Sequence, residues 1–202
     1  MIDKVALYGG AFDPVHRTHV QIASMVQNRF NLPVWIVPTN KHPWNKQTTD
    51  LQHRIKMCCM AFEGYTVSNL EEYNKSGTTW EMLEIARFSF PYTQFSLIVG
   101  EDAAEEVPNW SNGHRLISEY KFIVTARNGF PPGKDKWYHK TPHVYLPGKL
   151  SDISSTSVRK ALTSRLPLAG HLLLPPGVFE YIQKNNLYGI QNPETIAPCS
   201  EA

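Results

Sequence analysis

The chain has 202 residues, 42% hydrophobic and 19% charged, which fits one ordinary globular domain and excludes a disordered chain. Twenty basic residues against eighteen acidic leave a net charge of +2, too small to point to nucleic acid or a membrane surface without a local patch. The longest apolar run, Met57–Phe62, is six residues, far below the ~20 that span a bilayer, and the start lacks a signal-peptide layout. Cys58, Cys59 and Cys199 show no C-x-x-C spacing and read as free thiols, so a cytoplasmic protein is expected.

In chain order, Lys4–Tyr8 is an apolar run closed by Gly9 and Gly10, the signature of a buried strand. Ile22, Ala23, Val26 and Phe30 then recur at helical spacing, which predicts a helix from Thr18 to about Arg29. Pro33–Pro38 is a second buried strand. Asp50 is placed to cap another helix, with Ile55, Cys58, Cys59 and Phe62 on its apolar stripe. Tyr65–Val67 is a brief strand, and Thr79–Ser89 a helix turning Met82, Leu83 and Ala86 inward. Gln94–Val99 and Lys121–Thr125 are further strands, separated by a polar segment containing Trp110. Asn128–Thr141, rich in Gly and Pro, reads as a surface loop. Val144–Leu146 is a last strand, followed by a helix from about Ser155 and an amphipathic one through Val178, Ile182 and Leu187. Continuously apolar strands alternating with helices predict an α/β fold, a Rossmann-like doubly wound parallel sheet with helices on both faces. A single domain is expected over 1–190, its helical part covering 155–190, with a polar tail at 191–202. Ligands of such sheets bind beyond the carboxyl ends of the strands, so the turns there are searched for function.

The first of these turns runs from Gly9 to His19. Two glycines let the backbone approach a ligand closely, and Pro14 stiffens the loop. His16 and His19 lie three apart at a helix start, on one face beside the positive end of the dipole. Imidazole donors and backbone amides converging there suit a polyphosphate. The turn is neither G-x-G-x-x-G nor a P-loop. A zinc site is the competing reading for two such histidines, but Asp13 is the nearby acid and no matched further ligands follow. Near the other end, Ser154 or Ser155 can cap a helix in Asp152–Arg159, with Arg159 one turn in and within reach of an anion at its start.

Together these stretches resemble the nucleotidyltransferase superfamily with the H-x-G-H signature, and within it the nicotinate or nicotinamide mononucleotide adenylyltransferases. Their first pattern is G-G-[ST]-F-D-P-x-H-x-G-H. Here Ala11 stands where the pattern has a hydroxyl residue, and Thr18 where it has glycine. Their second pattern, I-S-[SA]-T-x-[IV]-R, is matched from Ile153 to Arg159. The resemblance implies that Gly9, Gly10, Ala11, Phe12, Ser154, Ser155, Thr156 and Arg159 bind ATP, with His16, His19 and Arg159 catalytic.

Further matches extend the resemblance from Val5 to Gly189. Asn40 and Lys46 fall in the family's P-x-N-x-P-H-K loop, and Arg54 and Met57 match its R-x-x-M. Gly100, Asp102 and Trp110 match I-I-G-x-D…W, which implies ribose hydroxyls on Gly100 and Asp102 and a pyridine ring stacked on the indole. Thr78 matches the first threonine of S-Y-T-x-x-T, while Gly77 and Glu81 replace its tyrosine and second threonine. A glutamate there would repel nicotinate and accept from an amide, which leans toward the nicotinamide substrate. Arg127 matches the arginine of R-P-G and would reach phosphate.

The implied reaction is adenylyl transfer between ATP and a pyridine mononucleotide. Mg²⁺ is expected to travel with ATP and to need no dedicated protein site. A homo-oligomer is allowed, and neither nucleic acid nor membrane is expected as a partner. Two alternatives stand beside this: a sibling transferase for phosphopantetheine, FMN or a phosphoalcohol, and a silent nucleotide-binding module on the same fold.

Overall fold

A computed structural model describes residues 3–41, 47–126, 135–148, 150–164 and 171–190. Six parallel strands form its sheet: β1 (Asp3–Gly10), β2 (Val34–Pro38), β3 (Thr66–Val67), β4 (Thr93–Gly100), β5 (Lys121–Thr125) and β6 (Val144–Leu146). Their order is β3-β2-β1-β4-β5-β6. The chain winds outward from β1 in one direction and then returns to start again at β4, so the switch point lies between β1 and β4. Register confirms the pairing there, with Leu7 opposite Leu97 and Tyr8 opposite Ile98.

Strand pleating sends successive side chains to opposite faces. Ala6 and Tyr8 enter one core layer, with α1 (Arg17–Phe30), α2 (Leu51–Ala61), α6 (Ser155–Leu162) and α7 (Val178–Lys184). Val5 and Leu7 enter the other, against α3 (Thr79–Ser89), α4 (Glu101–Glu106) and α5 (Gly113–Glu119). Both faces are thus covered, which is why the strands read as unbroken apolar runs. No described helix is long and apolar enough to cross a membrane.

Differences from the sequence reading are local. The polar segment before β5 holds α4, a 3-10 turn (Val107–Asn109) and α5. Each is too short for an apolar stripe to repeat, and Gly113 allows their packing, since a Cβ there would lie 2.0 Å from the Val107 carbonyl oxygen. On α2, Cys59 faces solvent, and Arg54, Met57 and Cys58 take the buried side. The stretch read as a surface loop carries a 3-10 turn, Trp137–His139, whose Tyr138 is fully buried. Its hydroxyl donates to Glu105 at 2.7 Å, beside the Lys136–Glu105 ion pair.

Candidate active site

Two clefts open beyond the carboxyl ends of β1 and β4. The first, about 460 Å³, is lined by Gly9, His16, Thr18, His19, Gly100, Asp102 and the segment 150–155. The second, about 540 Å³, is lined by Gly9, Gly10, Ala11, Thr39, Lys41, Thr78, Thr79, Met82, Asp102 and Trp110, among others. Gly9 and Asp102 border both, so the clefts meet at the switch point. A Cβ on Gly9 would meet nothing within 4 Å and would stand in this space.

The histidine turn is built around an internal bond. The backbone N–H of His16 donates to Nδ1 of His19 at 3.1 Å. With Nδ1 accepting, a neutral His19 carries its proton on Nε2. Burial and the adjoining His16 hold His19 well below the usual imidazole range, so the ring is neutral at pH 7. The two rings stack with centroids 3.6 Å apart. Phe12, at φ 48°, turns its ring inward to pack edge-on against Tyr8, His19 and Phe62. It is 1% exposed and lines neither cleft, unlike its neighbours Gly10 and Ala11, which line the second. Two amides of the α1 start are also committed: Arg17 donates to Leu173 and His19 to His16. The converging amides expected there are therefore fewer than the turn suggested.

The serine motif docks on the same turn. Ser154 caps α6 by accepting from the Ser157 amide at 3.1 Å, and the Ser154 amide donates to the Ser157 hydroxyl at 2.9 Å. The amides of Ser155 and Thr156 belong to the first turn, where no helical carbonyl can reach them. Ser155 donates its hydroxyl to the Pro14 carbonyl at 3.0 Å, and Arg159 donates to the Asp13 carbonyl at 2.6 Å. Arg159 also donates to the Thr156 hydroxyl at 3.3 Å. Ser154 and Ser155 line the first cleft, while Thr156, which is exposed, and Arg159 are not part of that lining.

In the second cleft, Thr78 caps α3, accepting from the Glu81 amide at 3.2 Å. Glu81 turns away: its carboxylate accepts the amides of Lys75 at 3.3 Å and Ser76 at 2.7 Å. It is absent from the cleft lining, which removes the residue behind the nicotinamide lean. Gly77 has φ +71° and would place a Cβ 2.9 Å from Cβ of Lys41, so this departure from the family tyrosine makes room for Lys41. Asn40 lies between two lining residues without being one, and its amide donates to Glu71 at 3.2 Å. Trp110 forms part of the wall, as its polar surroundings suggested. A Cβ on Gly100 would come 2.6 Å from Oδ1 of Asp102, so glycine gives that carboxylate its place. Lys46 and Arg127 lie outside the described residues.

Three features escaped the sequence reading. Arg54 is 1% exposed and donates to the carbonyls of Thr49, Ala11 and Thr39 at 2.7, 2.9 and 2.7 Å. It is a strut joining the two loops, although its place in R-x-x-M signalled importance. Tyr188 donates to Asp13 at 2.7 Å, and Asp13 accepts the Thr49 amide at 3.3 Å, tying the C-terminal turn to the same loops. Thr18 and Ser151, both lining the first cleft, bring their hydroxyls within 2.6 Å of each other. No cluster of three His, Cys, Asp or Glu side chains suited to a metal occurs among the described residues.

The cytidylyltransferase-like family model matches residues 7–161, from β1 through the serine motif. The chain belongs to the cytidylyltransferase-like family. Within it, a Clavibacter michiganensis protein described as a probable nicotinate-nucleotide adenylyltransferase is 33% identical over 195 residues, covering 92% of this chain and 94% of its own. The Bacillus subtilis nicotinate-nucleotide adenylyltransferase is 29% identical over 194 residues, covering 92% and 98%. The solved structure of Plasmodium falciparum nicotinic acid mononucleotide adenylyltransferase complexed with NaAD superposes with a TM-score of 0.82 at 24% identity, over 92% of this chain and 97% of that one. That likeness establishes the fold: the cytidylyltransferase-like sheet and its helices are common to both.

Proposed function

We propose that this chain joins ATP to nicotinate mononucleotide, giving the dinucleotide and pyrophosphate in NAD biosynthesis. The observation that carries the reading is the meeting of two clefts at Gly9 and Asp102. One is walled by the histidine pair and the capped α6 start, the other by Thr78 and Trp110. ATP fills the first, the mononucleotide fills the second, and the reacting phosphates meet at the shared edge.

A phosphate oxygen of the mononucleotide attacks the α-phosphorus of ATP in line. The new P–O bond forms as the bond to the α–β bridging oxygen breaks, and pyrophosphate leaves with that electron pair. The nucleophile is already an anion, so the site has no proton to remove and works by positioning and charge stabilisation. Nε2 of neutral His19 donates to the α-phosphate, with His16 beside it. The amides of Ser155 and Thr156 receive the outer phosphates at the positive end of α6, with Arg159 one turn behind. Gly100 and Asp102 hold a ribose, and Trp110 stacks on the pyridinium face. Lys46 and Arg127 join as substrate ligands through the family pattern alone, Arg127 at phosphate. Mg²⁺ carried with ATP would offset the phosphate charge and would need no dedicated protein site.

Nicotinate is favoured over nicotinamide because Glu81 is spent on the Lys75 and Ser76 amides, while Lys41 and the α3 start at Thr78 and Thr79 border the cleft. The names of the bacterial relatives point the same way. Positional labelling tests the chemistry. Label at the α-phosphate of ATP is expected in the dinucleotide, and label at the γ-phosphate in pyrophosphate. Recovery of the α-label in ADP or free AMP would overturn the reading.

A further inference from the structure

Thr18 occupies the position that is glycine in the family pattern, and its side chain is engaged. It is 6% exposed on the first turn of α1, and its Oγ1 lies 2.6 Å from Oγ of Ser151. The same Thr18 hydroxyl lies 3.4 Å from the Ser151 carbonyl oxygen. Ser151 sits in an irregular stretch between β6 and α6, where the described residues 150–154 make no helix or strand hydrogen-bond ladder. Both hydroxyls line the first cleft, together with Ile22 of α1 and Leu150 and Ile153 of that stretch. The stretch ends in Ser154, the cap of α6, which is anchored to Pro14 and Asp13 through Ser155 and Arg159. Its middle is anchored through Thr18. An O–O distance of 2.6 Å is short for a hydroxyl pair, and it joins a buried Thr18 to an exposed Ser151 at the cleft wall.

We propose that the Thr18–Ser151 hydroxyl pair is a positioning clamp that holds the 150–154 wall in the shape that receives ATP. This rests on ATP occupying the first cleft. Glycine at position 18 leaves that wall unpinned in this chain, because the Ser151 hydroxyl then loses its partner. A wall ordered before binding spares the ligand the entropy of ordering it, so the clamp acts on affinity. Thr18 is a positioning residue: it acts through Ser151 and the wall, and it takes no part in bond making.

The test measures MgATP binding by calorimetry on the full chain, alongside circular dichroism. Thr18→Val keeps the shape and removes the hydroxyl, Ser151→Ala removes its partner, Thr18→Gly restores the family residue, and Thr18→Ser retains the hydroxyl. The Val, Ala and Gly variants are expected to bind ATP roughly three- to tenfold more weakly, the cost of one such hydrogen bond. The Ser variant is expected within twofold of the parent. The Val and Ala changes combined are expected to cost no more than either alone, as partners in one interaction do. Folded Val, Ala and Gly variants that bind ATP as tightly as the parent would overturn the clamp. So would tighter binding by the Gly variant. A parent chain that binds no MgATP would overturn the nucleotide reading itself, an outcome distinct from equal binding by parent and variants.

Discussion

His16 gives its backbone N–H to Nδ1 of His19 at 3.1 Å, and this single bond decides which nitrogen of His19 faces the cleft with a proton. A ring whose Nδ1 accepts is a neutral donor at Nε2, able to follow charge as it develops on a phosphate without first losing a proton. Replacing His19 with Ala is expected to lower kcat by about 10²–10³, the usual cost of one such donor, with an unchanged circular dichroism spectrum. Turnover at the parent rate would remove His19 from the chemistry.

The same ring makes a prediction about pH. Folding depresses the His19 pKa through burial, so below about pH 6.5 the unfolded chain takes up a proton that the folded chain refuses. Stability is therefore unaffected above that pH and falls as the pH drops from it toward the depressed folded value. His143 is shifted in the same direction by burial and adds a slope of the same sign. Urea midpoints measured at pH 7.5, 6.5 and 5.5 are expected to decline over the lower interval, and His19→Gln is expected to flatten that decline. An identical slope in the variant would contradict the neutral ring.

Arg54, which lines neither cleft, predicts a stability effect. Its guanidinium serves three carbonyl oxygens, and Arg54→Met leaves them without that donor in the interior. Each buried polar group left unpaired costs about 1–3 kcal/mol, so a loss on the order of 3 kcal/mol or more is expected from denaturant titration. A change below about 1 kcal/mol would show that the two loops do not depend on it.

Gly100→Ala separates substrate affinity from folding. The new methyl group meets Oδ1 of Asp102, a side-chain atom and not backbone, so the carboxylate is expected to shift while the strand stays in place. The KM for mononucleotide is expected to rise about tenfold, the scale of one lost charge-assisted hydrogen bond, with the melting temperature nearly unchanged. An unchanged KM would mean that Asp102 does not hold the ribose. By contrast, a Cβ on Gly113 meets backbone at 2.0 Å, and that substitution is expected to destabilise the fold.

Legibility in the sequence followed physical cause. The strands were plain because a parallel sheet covered on both faces demands unbroken apolar runs, and α3 was read to its residue bounds because Met82, Leu83 and Ala86 fall at helical spacing on its inner face. The clefts were foreseeable once Gly9, Gly10 and Gly100 were placed at strand ends. Contacts between distant segments left no local trace. Nothing near Arg159 announces that it bonds to Asp13, and nothing near Thr18 announces Ser151. Glu81 misled for the same reason, since a carboxylate beside a binding loop looks identical whether it faces substrate or two backbone amides. Tyr138 was hidden because a buried aromatic in a Gly- and Pro-rich stretch has no periodicity to reveal it.

The proposed nicotinate preference gives a role to Lys41, which borders the second cleft and donates to the Lys75 carbonyl at 3.0 Å. Lys41→Met is expected to weaken nicotinate mononucleotide more than the nicotinamide form, narrowing the ratio of their kcat/KM values. Glu81→Gln is expected to leave that ratio unchanged, because the carboxylate addresses the loop. A ratio that moved with Glu81 and not with Lys41 would reverse the assignment.

Pyrophosphate release from ATP, followed separately with nicotinate mononucleotide and with nicotinamide mononucleotide, reads adenylyl transfer and the pyridine preference together. Release is expected when ATP and a mononucleotide are both present and none with ATP alone, with a kcat/KM at least tenfold higher for nicotinate, the counterpart of about 1.4 kcal/mol. Absence of release with either mononucleotide would contradict the proposed adenylyl transfer.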